Sequence, residues 1–194
     1  MRISKEKAAE NRTALIKAAS RLFRERGIDG VGVAEISKEA GLTHGALYAH
    51  FRSKDELALA ALSHGLDEGA AWLRADQPDV GAFLDHYLSA AHRDDAPGRC
   101  AIAAGASEFG RQGIAISARF AQGYQALAHA FERQIAANDP GADARGRALV
   151  AVATIIGAQS VAHGTARGDR ALSDEVLAAT RRLIDELMLA PPAG

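Results

Sequence analysis

Apolar residues recur every three to four positions along nearly the whole chain, the period of helices that bury one face. Over about 11–26, Leu15, Ala19, Leu22 and Phe23 share a face while Lys17, Arg21, Arg24 and Glu25 lie mostly off it, and Gly27 supplies a stop. Two short helices are expected next, one over about 33–40 stopped by Gly41 and one opening at Thr43, a good N-cap. Ser53-Lys54-Asp55-Glu56 reads as a capping box that opens a helix to about 74, with Leu59, Leu62, Leu66 and Leu73 along one side. Beyond Pro78 the period continues over about 79–93, 99–111, 114–137, 142–167 and 173–189. The separators are Asp95-Ala96-Pro97-Gly98, Gly113, Asn138-Asp139-Pro140-Gly141 and Gly168-Asp169. Val31 and Val33 are too short a run for a strand, and the tail Pro191-Pro192-Ala193-Gly194 is expected to fray. The fold class is therefore all-α.

Composition agrees. Aromatic residues make up only 5% of the 194, which suits helices packed through Ala, Leu and Ile better than a β-sandwich. No apolar run looks long enough to span a bilayer, and the first ten residues are charged, so the expectation is a cytoplasmic protein with no membrane partner. A single cysteine, Cys100, excludes an intrachain disulfide and a multi-cysteine zinc site. Charge is unevenly placed. Residues 1–54 hold 11 Lys+Arg against 6 Asp+Glu, a net of +5; residues 55–194 hold 12 against 18, a net of −6. All five lysines fall in the first segment. A basic head on an acidic body suits a polyanion-binding module joined to something else.

The informative stretch runs from Val33 to Phe51. It reads as two short helices and a tight turn, with Ile36, Ala40, Leu47 and Phe51 facing inward and Leu42 plugging the space under the turn. Ser37 is small enough for the second helix to cross closely, and Gly41 supplies the left-handed turn conformation. Gly45, Ala49 and Arg52 are left outward, flanked by Ala46 and Tyr48, and small residues there let a helix backbone sit deep in a major groove. Thr43, His44, Tyr48 and His50 at the margins can reach phosphates, and Lys54 stands where a helix N-terminus also favours a phosphate oxygen. The candidate DNA-binding set is thus Thr43, His44, Gly45, Ala46, Tyr48, His50 and Lys54.

These residues carry a resemblance. Asn11-Arg12, Ala18-Ala19, Leu22-Phe23, Arg26-Gly27, Glu35-Ile36, Ala40-Gly41-Leu42-Thr43, Gly45, Leu47-Tyr48, His50-Phe51 and Lys54, in that order and spacing, resemble the N-terminal domain of the TetR family of transcriptional regulators. The resemblance implies a three-helix DNA-binding domain with a helix-turn-helix over 1–54, and a helical effector-binding and dimerisation domain over 55–194. It implies a homodimer on palindromic double-stranded operator DNA, most simply a repressor released by a small-molecule effector. An activator of the same fold is the alternative. Two departures stand out: Val31-Gly32 replace the usual Thr or Ser cap before the second helix, and Ala34 replaces a polar residue early in it. The arm residues Arg2, Lys5 and Lys7 are placed to compensate.

Past about residue 75 the resemblance weakens. Arg93-Asp94-Asp95, Gly98-Arg99-Cys100-Ala101-Ile102 and Ser107-Glu108 look similar to one large subgroup that shares no single ligand type. The ligand-binding candidates are His86, Tyr87, Cys100, Phe120, Tyr124, Gln159 and His163, with Trp72, Phe83 and Phe109 also considered. A single thiol beside Arg99 also raises a thiol-based electrophile or redox sensor acting through Cys100. Ala153, Gly157, Ser160 and Gly164 form a row of small residues at helical spacing, and with Leu177, Ile184 and Met188 of the last helix they are the candidate dimerisation face. The seven histidines show no i, i+4 pair, and no phosphate-binding glycine loop is present, so neither a catalytic role, a metal nor a cofactor is expected.

Overall fold

The computed structural model describes residues 4–75, 78–95 and 100–189. Arg2 of the basic arm, the turn expected at Ala96-Pro97-Gly98, Arg99, and the tail from 190 onward lie outside the described residues. Every described element is helical.

Helix α1 (Lys5–Arg26) begins earlier than its apolar stripe because Ser4 caps it, its side chain accepting from the Lys7 N–H. It closes at Gly27, which sits at φ 75° with its N–H on the Phe23 carbonyl at 2.8 Å. Helices α2 (Val33–Glu39) and α3 (His44–Tyr48) follow. Between them Gly41 adopts φ 69°, the Gly41 N–H reaches the Lys38 carbonyl at 3.0 Å and the Leu42 N–H reaches the Ser37 carbonyl at 2.8 Å. That double closure requires a left-handed residue, which is why glycine stands there. Ser37 is buried and donates its hydroxyl to the Val33 carbonyl at 3.0 Å, so the crossing point carries no unpaired polar group. Gly32 caps α2 with no side chain, the weak start its sequence announces.

Helix α4 (Lys54–Gly69) joins the two halves. Leu57 and Ala61 pack with Leu15, Leu22, Ile36, Leu47 and Phe51 in the core of the head. Ala58, Leu62 and Leu66 pack in the core of the body. The head's packing therefore runs past residue 54 into α4. Ser53 accepts from the Glu56 N–H, and Glu56 reaches back to the Arg52 N–H at 2.8 Å, one residue beyond the usual box partner.

The body comprises α5 (Val80–Tyr87), α6 (Ala90–Asp94), α7 (Ala101–Gly105), α8 (Ile114–Asn138), α9 (Ala144–Thr165) and α10 (Arg170–Leu189), with 3-10 turns at Ala71–Arg74 and Phe109–Arg111. Three expected helices are shorter or broken. The one to about 74 ends at Gly69 and tightens into the first 3-10 turn. The one over 79–93 breaks at Leu88-Ser89, where Ser89 donates to the His86 carbonyl at 2.7 Å and accepts from the His92 N–H at 3.0 Å, ending one helix and starting the next. The one over 99–111 breaks because Phe109 folds back onto Gly105, where a Cβ would lie 2.1 Å from the ring.

Helix α9 is the central element, packed against α8 and α10. Contrary to expectation, it is long and apolar enough by length and composition to cross a membrane. Its inward stripe, including Ala148, Ala151, Val152, Ile155 and Ala162, is spent on the protein's own core. A polar staple holds α6 to α9 and α10. Arg93 has no exposed side-chain surface; it donates to Ser173 Oγ at 2.7 Å and pairs with Asp94 and Asp174. Ser173, itself fully buried, donates to the Ala162 carbonyl at 2.7 Å.

Candidate nucleic-acid interface and ligand cavity

The outward side of the helix-turn-helix is built by subtraction. Burying Leu47 and Phe51 leaves His44, Gly45, Tyr48 and Ala49 in solvent, Tyr48 being 52% exposed. The His44 ring meets Tyr48 edge-on at 5.4 Å, which fixes both side chains at one margin. Thr43 starts α3 without a side-chain cap bond, so its hydroxyl remains for another acceptor. Ala46 and His50 are half-buried, and nothing lies within 4 Å of a Cβ built on Gly45. Lys54 is the first residue of α4, where its ammonium and the free N–H groups of that turn both attract an anion.

The head's net charge of +5 favours a polyanion. Glu10 pairs with Lys7, Glu25 and Glu39 with Arg21, and Glu35 with Arg26. Each of these four acids is paired with a base of the head itself. Arg12 lies over the buried Phe51 ring at 4.8 Å, a cation–π contact that ties α1 to the end of the recognition element.

Behind the head lies a cavity of about 730 Å³, lined in part by Trp72, Phe83, His86, Tyr87, Cys100 and Arg24. A second, of about 390 Å³, is lined in part by Arg24, His92, Arg93, Cys100, Gln159 and His163. His86, Tyr87 and Cys100 are thus placed on the large cavity, and Gln159 and His163 on the small one. Gln159 is engaged by its own fold, donating to the Tyr87 carbonyl. Phe120 and Tyr124 line neither cavity: Phe120 packs on Phe109 at 5.4 Å, and Tyr124 donates to the Leu149 carbonyl at 2.6 Å, tying α8 to α9. Both make packing contacts within the body.

Two cavity residues escaped sequence reasoning. Arg24 looked like a solvated charge on α1, yet it borders both cavities. His92 is brought over Tyr87 by the break at Ser89, their rings 5.0 Å apart. No periodicity signals such a break; only the Ser-x-x-His spacing hints at a cap. Burial, with His86 adding and Asp95 opposing, holds His92 below the ordinary imidazole range. The stabilisation from burying it neutral is present above the unfolded pKa of about 6.5 and is lost as pH falls towards the depressed folded value. The melting temperature is therefore expected to drop between about pH 7 and pH 5, and His92→Leu to flatten that part of the profile. An unchanged profile in the variant would mean that His92 does not titrate in this window.

The cavity and the head are physically joined. Arg24 reaches from α1 to the cavity wall, while Glu108, just past α7, accepts the Asp29 N–H of the head's first loop at 3.0 Å. Gly65 of α4 allows this junction: a Cβ there would sit 3.0 Å from Arg24 and 3.1 Å from Ala101. Arg119 of α8 bonds Ser63 at 3.2 Å and Asp67 at 2.7 Å on α4.

The candidate dimer face divides in two. Ala153, Gly157, Ser160 and Gly164 are exposed along α9, beside Val150 and Val161, which are 57% and 50% exposed. Leu177, Ile184 and Met188 are instead buried in the protein's own core. They are corrected to core residues, because α10 turns that stripe towards its own body and leaves Leu183 outward, 60% exposed.

Residues 15–61 match the family model for bacterial regulatory proteins of the tetR family. Over 62 residues the chain is 45% identical to the HTH-type transcriptional regulator TtgR of Pseudomonas putida, covering 32% of this chain and 30% of that protein. Over 54 residues it is 46% identical to the HTH-type transcriptional repressor BepR of Brucella suis biovar 1, covering 28% and 26%. The match thus spans less than a third of these relatives' length, and they are named as regulators, not enzymes. The fold of the whole chain is similar to a TetR transcriptional regulator from Chloroflexus aurantiacus, with a TM-score of 0.76 at 23% identity over 96% of this chain and 98% of that one. A TetR regulator from Legionella pneumophila gives 0.74 at 19% identity over 96% and 98%. The helix-turn-helix head thus matches the tetR family model, and the fold of the whole length is similar to that of TetR transcriptional regulators.

Proposed function

We propose that this protein is a DNA-binding transcriptional regulator that acts as a homodimer on a palindromic operator and represses until a small molecule occupies the large cavity. The observation that carries this reading is the His44-Gly45-Tyr48-Ala49 face, open to solvent on a helix-turn-helix domain of net charge +5. A helix with small outward residues lies deep in a major groove, and flanking hydroxyls and ammonium groups hold the phosphates. Repression is carried over from the name of the Brucella relative as the simplest sign of action. Release by a ligand is supported by the route from cavity to head through Arg24, α4, α7 and Glu108. A ligand that prefers a conformation with the heads displaced shifts the balance by its differential affinity for the two states.

The test is binding of the purified protein to the intergenic DNA flanking its own gene, at two salt concentrations with excess competitor. A sequence-specific, salt-sensitive complex is expected. Lys54→Ala should weaken it about tenfold on any sequence and reduce the salt slope by about one, and Tyr48→Phe should weaken it a few-fold. Wild-type binding by both variants would show that α3 does not dock as described.

A further inference from the structure

Resting on the ligand-release reading above, we propose that the large cavity takes an uncharged, flat polycyclic aromatic molecule with a hydroxyl or carbonyl at its rim. Size sets the first limit: about 730 Å³ suits a ligand of several fused rings. Shape sets the second. Trp72 and Phe83 stack at 4.5 Å and 16°, and Phe83 and Tyr87 at 5.1 Å and 30°, so three rings form a stepped platform along one wall. A flat aromatic ligand extends such a platform by offset stacking. Aliphatic side chains of Leu66, Ile102 and Leu127 complete much of the lining.

Polarity sets the third limit. Trp72 Nε1, the Tyr87 hydroxyl and His92 Nε2 are buried without a well-formed hydrogen bond; the Tyr87 hydroxyl has only the Cys100 thiol beside it, a weak partner. Trp72 and Tyr87 belong to the cavity wall, and so does His92. A buried polar atom left unpaired costs about 1–3 kcal/mol, and in the free protein these three are shut off from the open volume, so an occupant pairs them by a small rotation of the side chains that carry them. The indole N–H only donates, and the phenol donates readily, so they ask for an oxygen acceptor. Neutral His92 can accept from a ligand hydroxyl. An anion fits less well, because Arg24 is outnumbered on the same wall by Glu68 and Asp79, and burial, with the Cys100 thiol adding, pushes the Tyr87 phenol well above its ordinary range and keeps it a neutral donor.

Trp72 is the chain's only tryptophan and stands on this wall, so its emission responds most strongly to a probe bound in the cavity. Three probes share one ring system: 1-hydroxypyrene, pyrene and pyrene-1-carboxylate, each an energy acceptor for tryptophan. At about pH 7, 1-hydroxypyrene is expected to quench Trp72 with an affinity about tenfold above the carboxylate and about three- to tenfold above pyrene. Tyr87→Phe should narrow the gap to pyrene without changing pyrene binding. It should also keep or raise the melting temperature, since the hydroxyl it removes has no strong partner in the free protein. Tighter binding of the carboxylate, an unchanged gap in Tyr87→Phe, or no Trp72 response to any probe would each overturn the assignment. Operator release measured on the same samples separates the two readings. Quenching by 1-hydroxypyrene without release sinks ligand release and upholds the ligand class. Release by the carboxylate but not by 1-hydroxypyrene upholds ligand release and sinks the class.

Discussion

Gly157→Arg is expected to yield a folded monomer that no longer holds its operator. Within one protomer the change is mild. Gly157 is exposed on α9 and nothing lies within 4 Å of a Cβ built there, so the arginine has room and the melting temperature should move little. Across a two-fold interface it is severe. Ala153, Gly157, Ser160 and Gly164 are small, exposed and aligned, with Val150 and Val161 beside them and Leu183 outward on α10. Small residues in a row let two helices approach closely, and a guanidinium on each would hold the proposed pair of helices apart. Losing the dimer removes the tethered second head, and with it an advantage of about 10²–10⁴ in operator affinity. Sedimentation velocity and a gel shift read the two effects separately. A Gly157→Arg protein that still sediments as a dimer would place the interface elsewhere.

Arg93→Ala is expected to cost stability more than any surface substitution, about 2–3 kcal/mol. Its side chain has no exposed surface, yet Asp94 and Asp174 stand 41% and 54% exposed above it. The loss should therefore fall below the about 3–5 kcal/mol of a broken, fully buried pair, because the carboxylates left behind return to water. What disappears is the guanidinium's packing and its bond to Ser173, which links α6 to the Ala162 carbonyl near the end of α9. Arg93→Met, which keeps most of the volume, should recover the packing share alone. Chemical denaturation of the two variants measures the division. Equal losses in both would assign the whole effect to the charge network, and no loss in Arg93→Ala would dismiss the staple.

The head was legible from sequence because its determinants are local. Each lies within a few residues of its consequence: Gly41 and the turn it closes, Ser53 and the helix it caps, Leu47 and Phe51 on one face. The outward residues of α3 then follow by elimination. The body was legible only as a set of helices. Its breaks at Ser89 and at Gly105–Phe109 depend on a side chain folding back onto backbone, and helical periodicity runs straight through them.

The chain's own pattern of residues determined the all-helical class, the helix-turn-helix, the face it presents and the basic head on an acidic body. Those properties depend on helix propensity, capping and the 3.6-residue period, which act over a few residues at a time. Tertiary structure alone decided which aromatics border a cavity, which stripe of α10 is core, and that Arg24 of the head reaches the same wall as Tyr87 and Cys100 of the body. An apolar residue on a helix is equally suited to a core, a cavity or a partner. The choice is made by helices distant in sequence, through the angle at which each packs on its neighbours.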